Sequence, residues 1–175
     1  TSRRQRQMCI RDRLYIGRSI LLLGVGLLQS GLICLGDLFY LQIQCEHPFL
    51  FLLAGWFTSI VYVSIIYALT VSFGDIGKAI CVVLLVMQVA GSGGTFPIEV
   101  APEFFQKVYP LLPFTHSMNA MRECIAGFYG NTYWKELGTL ALFLIPALLL
   151  GLVLRKPVIR LNDAFTEKLE STHLI

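Results

Sequence analysis

Long apolar runs alternate with short polar stretches along the chain. Four of these runs have about the 20 residues with which an α-helix crosses a bilayer. They comprise residues 15–40, 48–73, 77–94 and 137–154. Their apolar residues follow one another without the strict alternation of a membrane β-strand. The pattern therefore predicts an all-α, polytopic transmembrane bundle of about four spans.

Single polar residues and prolines refine these spans. Residues 48–73 carry no charge, and Pro48 suits the first turn of a helix. Pro146 in the last run predicts a kink, because proline removes a backbone donor and its ring crowds the preceding turn. Asp37 would cost about 2.5–3.5 kcal/mol at mid-membrane. We therefore expect Asp37 at the outer interface, and a functional carboxylate there remains an alternative.

The segment between the third and fourth runs does not fit a single helix. It opens with a glycine cluster and contains four prolines, at Pro97, Pro102, Pro110 and Pro113. Prolines at this spacing exclude one continuous helix. Broken backbone at membrane depth is tolerated only where protein or a water-filled cavity covers it. We therefore predict a re-entrant, proline-broken helical cap over residues 95–130, before the last span.

Within this cap we expect two short helices, 98–109 and 115–129. Thr115 or Ser117 is a candidate N-cap for the second helix, since a hydroxyl can accept a bond from a free backbone N–H. On the first helix, charged residues recur at four-residue steps, which is typical of a solvated face. These residues are Glu99, Glu103 and Lys107.

Two sets of cap residues are candidates for a functional site. A hinge or outer gate is one interpretation of the glycines and prolines, and an inert loop is the other. The hinge candidates are Gly91, Gly93, Gly94, Pro97, Pro110 and Pro113. The second set, Asn119, Arg122 and Glu123, is a candidate polar path or cap pair, because charges near a membrane face water, pair with one another or line a substrate path.

Composition supports a membrane protein. The 175 residues are 55% hydrophobic and 14% charged, with a mean hydropathy of +0.68. Soluble domains carry about 25% charged residues. A chain of this size predicts a single membrane domain, residues 14–155, without room for a soluble ATPase domain.

The distribution of charge predicts an orientation. The net charge is +3, and arginine and lysine crowd both ends of the chain, whereas residues 41–47 contain neither. The positive-inside rule then places both termini and the turn with Asp75 and Lys78 in the cytoplasm. Residues 1–13 form a basic flank that is either native or foreign, and residues 156–175 have the spacing of an amphipathic tail. Basic clusters beside apolar runs indicate topology, so no nucleic-acid partner is expected.

The remaining chemistry of the chain does not indicate an enzyme. Its five cysteines are scattered and its three histidines lie far apart, so neither set has the spacing of a metal site or a disulfide framework. The string GSGGTFP lacks the Gly-Lys-Ser/Thr ending of a phosphate-binding loop. No nucleophile–base or paired-carboxylate arrangement is visible. We therefore predict no catalytic, cofactor or metal residues.

The run AGSGGTFPIEVAPEFFQKVYPLLPFTHSMNAMRECIAGFYG, with the preceding FGDIGKAICVVLLVMQV, resembles the C-terminal membrane region of the phage infection protein (Pip) family. This family is a branch of the type-2 ABC transporter permeases of bacteria. The signature is GGTFP followed by PEFFQ, P-LPFT and N-AMRE, and the resemblance extends over nearly the whole chain.

The resemblance implies a fragment of a longer protein in the bacterial cytoplasmic membrane. Type-2 permeases pair as homodimers or heterodimers, work with separate ATPase subunits and export lipids, polysaccharides, drugs or peptides. The resemblance therefore implies a permease component of an exporter. The alternative is a membrane anchor or scaffold of a phage receptor or secretion accessory, without transport of its own.

Overall fold

A computed structural model describes residues 2–94, 96–154, 157, 160–161, 164 and 167, with side chains from residue 13 onward except that of Leu154. Every regular element in this part of the chain is a helix. The all-α, polytopic fold is therefore confirmed. Of the predicted tail, residues 156–175, too little falls within the described residues to test its apolar stripe, and that stripe stays a prediction.

Three helices are long and apolar enough to cross a membrane. Helix α1 covers Ser2–Phe39, and its apolar part is Arg13–Phe39, of 27 residues. Helix α2 covers Pro48–Phe73 and has 26 residues. The third candidate covers 22 residues, Thr132–Val153. The predicted basic flank continues into α1 without a break from Ser2.

The last of these spans is interrupted near its middle. It consists of α6, Thr132–Leu142, α7, Leu144–Leu148, and a π-helical turn over Leu149–Leu154. The break at Phe143 lies three residues before Pro146, whose missing N–H leaves the Leu142 carbonyl without its usual partner. Proline thus interrupts the span without ending it, as predicted. The span begins at Thr132, five residues earlier than the predicted 137.

Helices α1 and α2 are antiparallel, and a loop over residues 40–47 joins them at what we call the loop end. Gly74 alone joins α2 to α3, Asp75–Gly91, at the opposite turn end. Its φ of +60° is in the region that glycine adopts without strain. Tyr15 of α1 and Gly151 of the last span meet near this turn end. The described chain therefore enters and leaves the bundle at the same end.

The third predicted span differs from the other three. Helix α3 has 17 residues, about 25 Å at 1.5 Å per residue, and is the shortest of the four. Its Gln88 accepts a hydrogen bond from Tyr62 of α2. Tyr62 lies 14 residues after Pro48, about 21 Å from the loop end. Helix α3 therefore ends inside the bundle, and a complete crossing by residues 77–94 stays a prediction.

Helix α5, Pro113–Ala126, runs in the same direction as α3 and begins near the level at which α3 ends. Near its start, Ser117 is hydrogen-bonded to Thr58 of α2, with 2.8 Å between the two hydroxyl oxygens. Near its end, the Cys124 carbonyl accepts a hydrogen bond from the backbone N–H of His47 at the loop end, at 3.3 Å. Helices α3 and α5 thus together extend from the turn end to the loop end, α3 over the first part of this distance and α5 over the second. We call this two-helix arrangement the divided path.

The chain between α3 and α5 is more broken than predicted, and a re-entrant cap over 95–130 stays a prediction. Residues 92–112, which we call the connecting segment, contain a 3-10 turn at Ile98–Val100, helix α4 at Glu103–Val108 and a second 3-10 turn at Tyr109–Leu111. The prediction of one helix over 98–109 was wrong, because Pro102 ends the first turn. Glu99 therefore does not share a helix with Glu103, although both are exposed, as is Lys107.

The second cap helix begins at Pro113, not at Thr115. Proline suits the first helical position, where its missing N–H costs nothing. Leu112 is the N-cap, and no side chain makes the capping hydrogen bond. The prediction of Thr115 or Ser117 as N-cap was therefore wrong. Both side chains lie within α5 and are buried against the bundle.

The core lies where α5 meets α1, α2 and α6. Ala54 and Cys124 have no exposed surface, and Tyr133 is 1% exposed. Tyr133 also donates a hydrogen bond to the Leu50 carbonyl at 2.9 Å. The full cluster consists of Cys34, Phe51, Ala54, Ala120, Cys124, Tyr133 and Leu137. These residues hold α5 as an integral part of the bundle.

Candidate functional site

The joint between α3 and α5 contains the predicted hinge glycines. Helix α3 ends at Gly91, and the next residues form bends. Gly93 has a φ of +66°, a conformation that residues with side chains rarely adopt. A methyl group added at Gly91 would lie 3.0 Å from Leu112 and 3.1 Å from Phe105. The glycines therefore allow both the change of direction and the close return of the connecting segment.

Arg122 fastens this joint from the side of α5. Its Nη2 donates a hydrogen bond to the Gly93 carbonyl at 2.8 Å. The guanidinium is planar and permanently charged, which makes such bonds short and comparatively strong. The two residues are 29 positions apart in sequence. The structure therefore brings a hinge candidate and a polar-path candidate into one contact.

An open cleft of about 390 Å³ lies beside this contact. It is lined by Gly93, Gly94, Phe96, Pro97, Ile98, Glu99, Tyr109 and Arg122. Three hinge candidates thus share one surface with the Arg122 side chain. The other two prolines lie elsewhere: Pro113 is buried at the start of α5, and Pro110 is in the 3-10 turn before it.

The other predicted polar residues bind separate partners. Glu123 accepts a hydrogen bond from the backbone N–H of Tyr129 at 2.8 Å, so it connects the last turn of α5 to the chain that follows the helix. Asn119 donates to Glu136 of α6 over 3.5 Å. Arg122 and Glu123 do not pair with each other in the structure. The three residues therefore lie on one helix but connect it to three different parts of the chain.

The predicted cytoplasmic turn contains an exposed ion pair. Lys78 Nζ lies 2.8 Å from Asp75 Oδ1, one helical turn apart. The hydrogen bond from Lys78, together with its positive charge, lowers the pKa of Asp75. An exposed pair of this kind contributes little to stability.

A His–Glu pair is the feature that the sequence did not reveal. His116 Nδ1 lies 2.5 Å from Glu136 Oε2, and its Nε2 lies 3.0 Å from the Pro110 carbonyl oxygen. The two side chains are 13% and 19% exposed. Glu136 had no role in the sequence interpretation, because its partner is on another helix.

A polar layer crosses the bundle where α3 ends. It pairs Thr58 with Ser117 and Tyr62 with Gln88. Thr115, 1% exposed, has a hydroxyl without a hydrogen-bond partner among the described residues. Uncharged polar side chains that hydrogen-bond between helices stabilise helix packing in membrane proteins, and polar groups inside the membrane also occur on functional paths. From sequence these residues are single polar positions in apolar runs, so only their proximity identifies the layer.

The described cysteines are free thiols, and two of them belong to the core. Cys34 and Cys124 are buried in the core, and Cys45 donates a weak hydrogen bond to the Cys124 carbonyl at 3.2 Å. Within the described residues, no group of three or more potential metal ligands lies together.

Comparison with known proteins places the chain in a family. Residues 4–153 match the model of the ABC-2 family transporter proteins. The chain is also similar to the uncharacterized protein YhgE of Bacillus subtilis (strain 168), with 34% identity over 116 residues. That alignment covers 66% of this chain and 15% of the relative, so the chain spans a small part of the relative's length. No solved structure matches it.

The family match covers all three long helices and the connecting segment, up to residue 153. It is a family of transport proteins of the membrane and not a family of catalytic enzymes. With its three apolar helices, the chain is a multi-pass membrane protein, and it belongs to the ABC-2 transporter permease family.

Proposed function

We propose that this chain is the permease part of a bacterial ABC exporter, which moves its substrate across the cytoplasmic membrane with energy from a separate ATPase subunit. The observation that carries the proposal is the divided path of α3 and α5, joined at Gly93 and fastened by Arg122. Because α3 and α5 are separate helices, the angle between them can change at the joint while the three long helices stay in place. The polar layer beside the joint offers hydrogen-bonding groups to a substrate.

The proposal includes an assembly and an orientation. The exposed apolar side chains of α1 and α3 can contact lipid or a second copy, and the proposed assembly is a dimer. Both ends of the described chain lie at the turn end, and the positive-inside rule assigns that end to the cytoplasm. The connecting segment then faces the outside. We also propose that the chain belongs to the phage infection protein (Pip) branch of these permeases, because its sequence carries the Pip signature.

The orientation is tested with two single-cysteine positions. Glu103 and Asp75 are both exposed, and the proposed orientation puts Glu103 of the connecting segment outside and Asp75 of the turn end in the cytoplasm. On whole cells, a membrane-impermeant maleimide should label Glu103→Cys and leave Asp75→Cys unlabelled until the membrane is permeabilised. Labelling of Asp75→Cys on intact cells would reverse the orientation.

Loss of the Arg122 contact should impair transport. Arg122→Ala removes the bond that fastens α5 to Gly93, and we expect export to fall by about tenfold, the scale of a lost hydrogen bond to a charged donor. Arg122→Lys keeps one donor and should retain more activity. The measurement is export of lipid, polysaccharide and peptide reporters, together with vanadate-sensitive ATP hydrolysis by the full protein purified with its subunits.

Lys107→Ala is the matched control, because Lys107 is an exposed cation on α4. It should leave export and membrane level unchanged. Normal export by Arg122→Ala at normal membrane level would contradict the proposed role of the joint.

A membrane anchor or scaffold for a larger surface protein is the second candidate. The observation in its favour is the 15% share of the YhgE relative that the chain covers, since most of that relative lies outside this region. An anchor predicts no ATP hydrolysis in the purified assembly. It also predicts that Arg122→Ala acts only when it lowers the stability of the bundle.

A further inference from the structure

His116 lies between two hydrogen-bond acceptors. Its Nδ1 is 2.5 Å from a carboxylate oxygen of Glu136, and its Nε2 is 3.0 Å from the carbonyl oxygen of Pro110. A carbonyl oxygen only accepts, and an ionised carboxylate also only accepts. A neutral imidazole carries a single N–H and can donate to one of them, not to both.

Both contacts can therefore form only when the pair holds one additional proton. The proton is either on the imidazole, which then donates from both nitrogens, or on the Glu136 carboxyl, which then donates to Nδ1. In either arrangement the net charge of the pair changes from −1 to 0. The protonated pair satisfies every hydrogen bond, whereas the deprotonated pair leaves one acceptor facing another.

The surroundings of the pair make the deprotonated state costly. The two side chains are 13% and 19% exposed, so water reaches the carboxylate only in part, and a charge largely removed from water is unfavourable without a cationic partner. The Phe143 ring of the last span lies 6.1 Å from the His116 ring. Asn119 donates weakly to the second Glu136 oxygen, over 3.5 Å. An amide can orient the carboxylate but cannot neutralise it.

The neighbouring helices supply no alternative partner of opposite charge among the described residues. Helix α2 has no charged residue. On α5, Arg122 is bonded to Gly93 and Glu123 to Tyr129. The other described cations on the elements around α5 are Lys135 on α6, Lys107 on α4, Lys78 at the turn end, and Arg13 and Arg18 on α1, all of them exposed. The acidic side chains are Asp37 on α1, Glu46 in the loop, Glu99 and Glu103 in the connecting segment, and Asp75 at the turn end.

We propose that His116 and Glu136 form a proton-binding site that fastens α5 to α6. Proton uptake completes a chain of hydrogen bonds from the connecting segment at Pro110, through α5, to the last span. Proton release leaves a half-buried carboxylate without a cationic partner and one broken contact, so α5 is held less tightly. The contribution of the site to α5 docking is present at low pH and is lost as pH rises. The proposal that this pair binds a proton does not depend on whether the chain transports a substrate.

Glu136→Gln tests the proton directly. The glutamine amide donates to Nδ1 without taking up a proton, its oxygen still accepts from Asn119, and neutral His116 can donate from Nε2 to Pro110. We therefore expect this variant to keep α5 docked at every pH. The measurement is amide hydrogen exchange of the α5 peptide in the full protein in lipid nanodiscs, between about pH 5.5 and 8, where histidine titrates.

The quantity to compare is the α5 exchange rate of the wild type divided by that of Glu136→Gln, because the intrinsic effect of pH on exchange cancels in this ratio. It should be near one at the acid end and rise at higher pH, by at most about tenfold per pH unit for one proton. Glu123→Gln, a carboxylate-to-amide change on the same helix, should follow the wild type. A ratio that does not change with pH would overturn the proposal.

His116→Gln provides a second test should the first variant fold poorly. The side chain does not titrate but can still donate to Glu136. Its α5 exchange, divided by that of the Glu123→Gln control, which keeps the alkaline rise of the wild type, should fall as pH increases. A ratio that does not change with pH would also overturn the proposal.

Discussion

Replacing Tyr133 by alanine should destabilise the bundle by about 3–5 kcal/mol, the usual cost of truncating a large buried aromatic side chain. The ring is 1% exposed and lies in the core cluster with Cys124. Its hydroxyl donates to the Leu50 carbonyl at 2.9 Å and so joins the start of α6 to α2. Alanine leaves a cavity where four helices meet and also removes this hydrogen bond.

Alkylation of Cys124 provides a local measurement, because this thiol has no exposed surface. The temperature at which Cys124 becomes reactive in the full protein should fall clearly in Tyr133→Ala. Trp134→Ala is the matched control, since the adjacent Trp134 is 59% exposed; we expect a change within about 1 kcal/mol. Equal effects of the two substitutions would show that the core does not lie at the start of α6.

Replacing Gly77 by alanine should separate α3 from α2. A methyl group at this position would lie 2.8 Å from the carbonyl carbon of Leu69, still closer to its oxygen, and 3.2 Å from Cβ of Phe73. The obstacle is backbone, so no side-chain rotation relieves it. Overpacking of this kind costs about 1–3 kcal/mol, and we expect the upper part of that range.

Gly138→Ala on α6 is the control for Gly77→Ala. A methyl group at Gly138 meets nothing within 4 Å, so only helix propensity acts, and alanine is favoured by up to about 1 kcal/mol. Hydrogen exchange in the α3 peptide should accelerate in Gly77→Ala and stay unchanged or slow in Gly138→Ala. Unchanged α3 exchange in Gly77→Ala would mean that the two helices pack less closely than the structure has them.

The hinge candidates show which features of the fold can be predicted from local sequence and which cannot. Prolines and glycines indicated a broken segment, because each acts on its own backbone and the adjacent turn. They did not indicate that Pro113 begins α5 while Pro102 ends a 3-10 turn. Proline is compatible with the first turn of a helix as well as with its interruption. The burial of α5 in the bundle determines that Pro113 begins a helix.

The polar partners were less accessible from sequence. Arg122 was a candidate because a charge near a membrane needs a partner, but that partner is a backbone carbonyl 29 residues away. Glu136, 20 residues from His116, belongs to a different helix. The spacing of these residues in the sequence does not indicate either pair, since residues on different helices meet only after the helices pack.

The sequence by itself determined that lipid surrounds long helices, that the path before the last span is broken, and that charged ends flank an apolar middle. Hydropathy and backbone restrictions are properties of neighbouring residues, so a linear pattern is enough to establish them. Only the tertiary structure decided where α3 ends, which groups form the polar layer, and that His116 meets Glu136. Those outcomes depend on distances between helices, which are set by the packing of the whole bundle.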